Sequence, residues 1–166
     1  MVIVMSNEDV EMFYKQAMSY LEQGESKKAL EFFNKTLKID EMYLPAWNDK
    51  GVALLELKDY TQALDCFERV IYLNPEVSMP LYNKGYVQLM LERYRDSVET
   101  FKNFLIRYPY KDDFYKYALY LKAKGHYNLN EYEDAQILLE KVIKKDKSFK
   151  EARELLISIL NKQKTQ

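Results

Sequence analysis

The chain has 166 residues, 48% of them hydrophobic, and 25 Lys and Arg against 26 Asp and Glu give a net charge of −1. That length suits one domain or one short repeat array, and the balanced charge gives no whole-molecule case for nucleic acid or an anionic membrane. A single cysteine (Cys66) and a single histidine (His126) exclude an intramolecular disulfide and a Cys/His zinc centre, and no run approaches the roughly 20 apolar residues of a membrane-spanning helix.

The apolar start, "MVIVM", is too short for a signal-peptide core and has no basic residues before it, so a soluble, cytoplasmic protein is expected. "SNED" (Ser6 to Asp9) reads as the capping box of a first helix. From Val10 onward, apolar residues recur at helical spacing in paired segments. In the second pair these are Trp47, Leu54 and Leu57, then Ala63, Phe67, Val70 and Ile71. Short polar steps part the members of each pair: Gly24-Glu25, Lys58-Asp59, Glu92-Arg93 and Asn130-Glu131. The prolines (Pro45, Pro75, Pro80, Pro109) lie at expected helix starts or connections, where a missing N–H is tolerated. "SFKE" (Ser148 to Glu151) reads as a second capping box, opening a last helix over about 149–162. That helix turns Ala152, Leu155, Leu156, Ile159 and Leu160 toward the protein, and Lys150, Arg153, Glu154, Asn161 and Lys162 toward water.

The pairs repeat. Gly51 and Gly85, Leu57 and Leu91, Tyr60 and Tyr94, Phe67 and Phe101, and Pro75 and Pro109 each lie 34 residues apart. The same step back from Gly51, Ala63 and Phe67 reaches Ala17, Ala29 and Phe33. Going forward, a step of 38 is needed: Gly85 maps to Ala123, Tyr94 to Tyr132, Ser97 to Ala135 and Phe101 to Leu139. Four residues, Asp112 to Tyr115, are therefore read as an insertion, enough for about one helical turn without rotating the apolar face. The expected organisation is a single domain, 1–166, with repeats 10–43, 44–77, 78–111 and 116–149 and a capping helix 150–162. Neither helix of a pair can bury its apolar stripe alone, so neighbours must stack.

This pattern resembles the tetratricopeptide repeat (TPR) family. Trp47, Gly51, Ala63, Phe67 and Pro75 carry its signature in the second repeat, and Gly85, Tyr94, Phe101 and Pro109 in the third. Leu81 takes the Trp place and Ser97 an Ala place; Ala17 and Ala123 replace glycine in the outer repeats, and Glu41 and Lys147 replace proline. The resemblance implies an all-α, right-handed superhelical solenoid of helix-turn-helix repeats. It also places the glycine where the two helices of a repeat approach most closely, which accounts for Gly51 and Gly85 within helices, where glycine costs about 1 kcal/mol relative to alanine.

By the same resemblance, the first helix of each repeat lines a concave wall with its positions 2, 5, 6, 9, 12 and 13. These give a candidate peptide-binding set of Tyr14, Met18, Asn48, Asp49, Val52, Met79, Tyr82, Asn83, Tyr86, Met90, Tyr117, Tyr120, Lys124 and Tyr127; Leu89 and Leu121 map to the same wall. Six of the 15 tyrosines fall in this set. Tyr combines contact area with a hydroxyl, Met adapts to irregular apolar partners, and the Asn48 and Asn83 amides can bond a peptide backbone. The expected function is a scaffold or adaptor that binds a peptide or helical segment of another protein, with self-association or a small export or assembly chaperone as alternatives. The carboxylate clamp of heat-shock co-chaperones is not expected: one frame offers Tyr14, Met18, Asp49, Met79 and Asn83, the other Asn48, Val52, Asn83, Tyr117 and Leu121, and neither has the cations that hold a carboxylate.

No catalytic, metal or cofactor motif stands out. His126 shares its repeat position with Tyr20, Leu54 and Gln88 and reads as packing between helices. Cys66 has no basic neighbour in sequence to activate it. There is no phosphate-binding glycine loop. From Lys141 onward eight Lys/Arg face three Asp/Glu, read as the solvated surface of the last helix rather than a nucleic-acid site. No enzyme activity, cofactor, nucleic-acid partner or membrane partner is expected.

Overall fold

The structure, a computed structural model, describes residues 6–164; "MVIVM" lies outside the described residues. Among the described residues there are helices and no strands: α1 Asn7–Glu22, α2 Ser26–Ile39, α3 Leu44–Glu56, α4 Tyr60–Leu73, α5 Met79–Met90, α6 Tyr94–Arg107, α7 Asp113–Asn128, α8 Tyr132–Lys145 and α9 Lys150–Lys164. None of the described helices is long and apolar enough to cross a membrane. The chain forms two compact units, Met1–Pro80 and Leu81–Gln166.

In the first unit α1 packs on α2, α2 on α3 and α3 on α4. Its core is Ala17, Ala29, Phe33, Leu37, Ala46 and Ala53. In the second unit α7 packs on α6 and α8, and α9 on α8, around Leu119, Ala123, Leu139, Val142, Phe149, Ala152 and Ile159. Two of the three helical glycines, Gly51 and Gly85, sit against the rings of the following helix, and the third, Gly125 on α7, sits against Val98. A Cβ at Gly51 would lie 2.7 Å from the Phe67 ring, and one at Gly85 3.0 Å from the Phe101 ring. The Ser97 hydroxyl also donates to the Gly85 carbonyl at 2.8 Å, which explains a serine where the other repeats have alanine.

The turns inside the pairs share one geometry. Gly24, Lys58, Glu92 and Asn130 all take positive φ, between 59° and 75°. The N–H of the following residue reaches back to close the helix end, as from Asp59 to the Leu54 carbonyl and from Arg93 to that of Gln88. These are Schellman closures, and only Gly24 uses the residue that adopts this conformation freely.

The turns between pairs are also alike, with one exception. The carboxylate or amide oxygens of Asp40, Asn74 and Asp146 accept the N–H two residues on, from Met42, Glu76 and Ser148. Tyr108 occupies the equivalent place after α6, and its hydroxyl donates instead to Asp112 at 2.7 Å. The inserted residues follow there. Asp112 caps α7 by accepting the Tyr115 N–H, and the other three extend the helix. Of the two expected capping boxes, the first forms, the Ser6 N–H donating to Asp9 at 2.7 Å. The second does not: Ser148 gives both its N–H and its hydroxyl to Asp146, a nearer acceptor than Glu151. On α9, Ala152 and Ile159 are fully buried and Leu155 and Leu156 partly so. Leu160, expected to face inward, is 39% exposed.

Candidate functional site

In the first unit the candidate residues are tied to one another. The Tyr14 hydroxyl on α1 donates to Asp49 Oδ2 on α3 at 2.6 Å, and the Asn48 amide donates to Asp49 Oδ1 at 2.9 Å. Burial and the Asp49 carboxylate both push the Tyr14 hydroxyl far above the ordinary phenol range, so it stays a donor. The Tyr14 ring meets Tyr43 edge-on at 5.2 Å, and the Tyr43 hydroxyl donates to Glu11 at 2.8 Å. Met18 packs on the core. Val52 and Met79 are half-buried. Asn48 and Met79 line one open cavity with Leu44, Pro45, Val70 and Val77.

In the second unit most of the candidate rings are engaged by neighbouring helices. Tyr82 on α5 meets Phe101 at 5.9 Å and Phe104 and Phe114 at 5.5 Å each; burial pushes its hydroxyl up to about 12. Tyr117 and Tyr120 on α7 both pack on Phe149, at 5.0 and 5.1 Å. Tyr127 packs on Tyr132, with the Lys162 ammonium 4.7 Å above its ring. Leu89 and Leu121, mapped to the wall by repeat position, are core residues, 3% and 8% exposed.

Asn83 and Tyr86 on α5 and Lys124 on α7 are different. All three are half-buried, and among the described residues none has a side-chain hydrogen bond, an ion pair or a ring contact. Met90 is half-buried on the same helix as the first two. These side chains present an amide, a phenol and an ammonium without hydrogen-bonding partners among the described residues. Half-buried polar groups gain from a partner that completes their hydrogen bonds.

Sequence reasoning took the tyrosines one helix at a time and missed Tyr43, Phe114 and Phe149, the residues that cover them. A signal was present: Tyr43 and Phe149 hold the last position of the first and fourth repeats, and reading that position against position 5 pairs each with Tyr14 and Tyr120.

Catalytic groupings are weak. Cys66 is buried, and burial pushes its thiol up to about 11. His126 Nδ1 lies 2.7 Å from Glu131 Oε2. Glu131 also pairs with Arg95 at 3.2 Å, and His126 above all holds its carboxyl below the usual range. With Asp134, whose ligand atom lies within 4.8 Å of theirs, these two form the metal-type grouping found among the described residues. The sequence argument from cysteine and histidine counts did not cover such a mixed set. Here Glu131 already meets one neighbour through each oxygen, His126 and Arg95, and that bonded pair of contacts ties down the α7–α8 turn.

Profiles of the tetratricopeptide repeat match residues 45–77 and residues 11–40 and 117–148. An uncharacterised protein of Methanocaldococcus jannaschii is 34% identical over 73 residues, 44% of this chain and 85% of that protein. Superkiller complex protein 3 of Homo sapiens is 26% identical over 115 residues, 69% of this chain and 7% of that protein; the chain thus spans a small part of that longer relative. Among solved structures, MamA (41-end) from Desulfovibrio magneticus RS-1 superposes with a TM-score of 0.78 at 19% identity, covering 95% of this chain and 97% of that one. YrrB, a TPR protein with an unusual peptide-binding site, gives 0.79 at 18% identity over 92% and 76%. At these identities the two structures speak for the fold.

Proposed function

The chain belongs to the tetratricopeptide repeat family, whose fold serves as a protein–protein interaction scaffold, and from that premise we propose that it is an adaptor binding a peptide or helical segment of a partner protein. The binding faces are those of the first helices of the repeats 10–43, 44–77, 78–111 and 116–149. The observation that carries this reading is the set Asn83, Tyr86 and Lys124, half-buried and, among the described residues, without side-chain hydrogen bonds or ion pairs. The Lys124 ammonium provides a site for a carboxylate, and Asn83 one for a backbone amide. Tyr86 and Met90 provide apolar contact. Tyr14, Asn48 and Asp49, and the part-covered rings of Tyr82, Tyr120 and Tyr127, set the shape of the faces more than they supply free groups, while Tyr117 packs on Phe149 with 43% of its surface exposed. The unusual peptide-binding site of YrrB, a TPR protein, is in keeping with this role.

The test is selection of a random displayed peptide library on the wild-type protein, followed by affinity measurement on variants. Tyr86→Ala with Lys124→Ala should weaken the selected peptides about tenfold or more, the size of a modest hot spot, with the helical signal unchanged. Equal affinity for the variant would remove these helices as the binding face. Self-association is the second reading, favoured by exposed apolar residues on the end helix: Ile157 is 57% and Leu160 39% exposed. Sedimentation over a concentration range separates it, since a strict monomer excludes it.

A further inference from the structure

Three of the four repeats fill the junction beside their first helix with an aromatic contact; the second does not. In the first repeat, position 5 (Tyr14) meets position 34 (Tyr43) with ring centroids 5.2 Å apart. In the fourth, the same positions hold Tyr120 and Phe149, 5.1 Å apart. In the third, position 34 is Lys111, and Tyr82 meets Phe104 (position 27) and the inserted Phe114 instead, at 5.5 Å each. The second repeat has Asn48, Val77 and Val70 at positions 5, 34 and 27. Its junction, inside the first unit, holds an open cavity of about 490 Å³ lined by Leu44, Pro45, Asn48, Val70, Val77 and Met79. That volume lies in the range of ligand pockets, about 300–1,000 Å³.

We infer that this cavity is an anchor pocket for an aromatic side chain of a partner segment that carries a basic residue beside that ring. The inference rests on the peptide-binding reading above and specifies its ligand. The ring follows from the fold itself, which supplies one in each equivalent junction. The basic neighbour follows from charge. No Lys or Arg lines the cavity, and Glu76 lies exposed among its lining residues. Asn48 gives its N–H to Asp49, which leaves its carbonyl oxygen as an acceptor. The side-chain groups lining the cavity are thus the Glu76 anion, the Asn48 carbonyl oxygen and the Ser78 hydroxyl, which accepts as well as donates, and they match a tyrosine hydroxyl and a Lys or Arg.

Two variants rebuild the missing contact: Val77→Phe copies the fourth repeat, and Asn48→Tyr copies position 5 of the other three. The first probe is p-cresol, the tyrosine side-chain analogue, followed by amide shifts in NMR. The second is the set of peptides selected from the random library. Wild type should show saturable p-cresol shifts at Asn48 and Val77 that are lost in either folded variant. Selected peptides should be enriched in an aromatic residue next to Lys or Arg and bind at least tenfold more weakly to the filled variants. Unchanged p-cresol shifts in both variants would overturn the pocket. Peptides that bind the filled variants as tightly as wild type, yet weaken on Tyr86→Ala with Lys124→Ala, would overturn the pocket while leaving the adaptor reading standing. Concentration-dependent self-association of wild type that disappears on filling would assign the cavity to a second copy and overturn the peptide ligand.

Discussion

At the scale of single residues, the structure separates positions that look equivalent in sequence. Gly51 and Gly85 hold the same repeat place, but the added Cβ meets Phe67 at 2.7 Å and Phe101 at 3.0 Å. Alanine gains about 1 kcal/mol of helix propensity, against about 1–3 kcal/mol for overpacking. Gly51→Ala should therefore lower stability by about 1 kcal/mol, while Gly85→Ala should be close to neutral; urea titration of both checks the order. The need for a small residue here was legible because four repeats agree on Gly or Ala. The left-handed turn position was not, because Lys58, Glu92 and Asn130 occupy it and only Gly24 signals it. A non-glycine residue there costs roughly 1–2 kcal/mol, so Lys58→Gly should raise stability by about 0.5–1 kcal/mol after the roughly 0.4–1 kcal/mol lost to the looser unfolded chain. Gln88 offers a second gain. It is 3% exposed and its Oε1 has no partner, in the place where the second repeat has Leu54. Gln88→Leu should raise stability, and with it the melting temperature, by up to the free energy of an unsatisfied buried acceptor, roughly 1–3 kcal/mol; a lower melting temperature would show that the amide is satisfied.

At the scale of elements, the connections decide what the helices present. The Asp146 carboxylate holds the α8–α9 turn by accepting from Ser148 and from Lys116 at 2.9 Å. Ser148 above all, then Lys116, pulls its pKa down from 3.8 to about 2. A group depressed on folding contributes stability above its ordinary pKa and loses it as pH falls through the folded value. Asp146→Asn should thus lower stability at neutral pH and flatten its fall between about pH 4 and pH 2, read from melting temperature against pH. An unchanged acid limb would show that the bonds do not persist in solution. The insertion at Asp112 to Tyr115 was legible as a change of period. Its delivery of Phe114 onto Tyr82 was not, because a ring's target depends on tertiary contact rather than spacing. The end helix α9 covers the core of the second unit through Ala152 and Ile159. Removing 150–166 should expose that surface, giving self-association or a fall in melting temperature well beyond 3 °C, the shift worth under roughly 1 kcal/mol.

At the scale of the molecule, a stack of repeats is stabilised by nearest-neighbour contacts. The period of 34 made the helix pairs and the family readable from one sequence. The family resemblance then assigned the candidate residues to the first helices. It did not tell which rings meet another ring: Tyr86 and Tyr120 share an assignment to the same wall, yet Tyr86 is half-buried with no ring contact among the described residues and Tyr120 packs on Phe149. That difference turns on a residue 29 positions further along the chain, outside any local pattern. The most direct test of the binding face is an NMR titration of the labelled protein with a peptide selected on it. The expected shifts cluster on α1, α3, α5 and α7, with Asn83, Tyr86 and Lys124 among the largest. Shifts confined to α2, α4, α6 and α8 would contradict the assignment of the first helices as the partner-binding face.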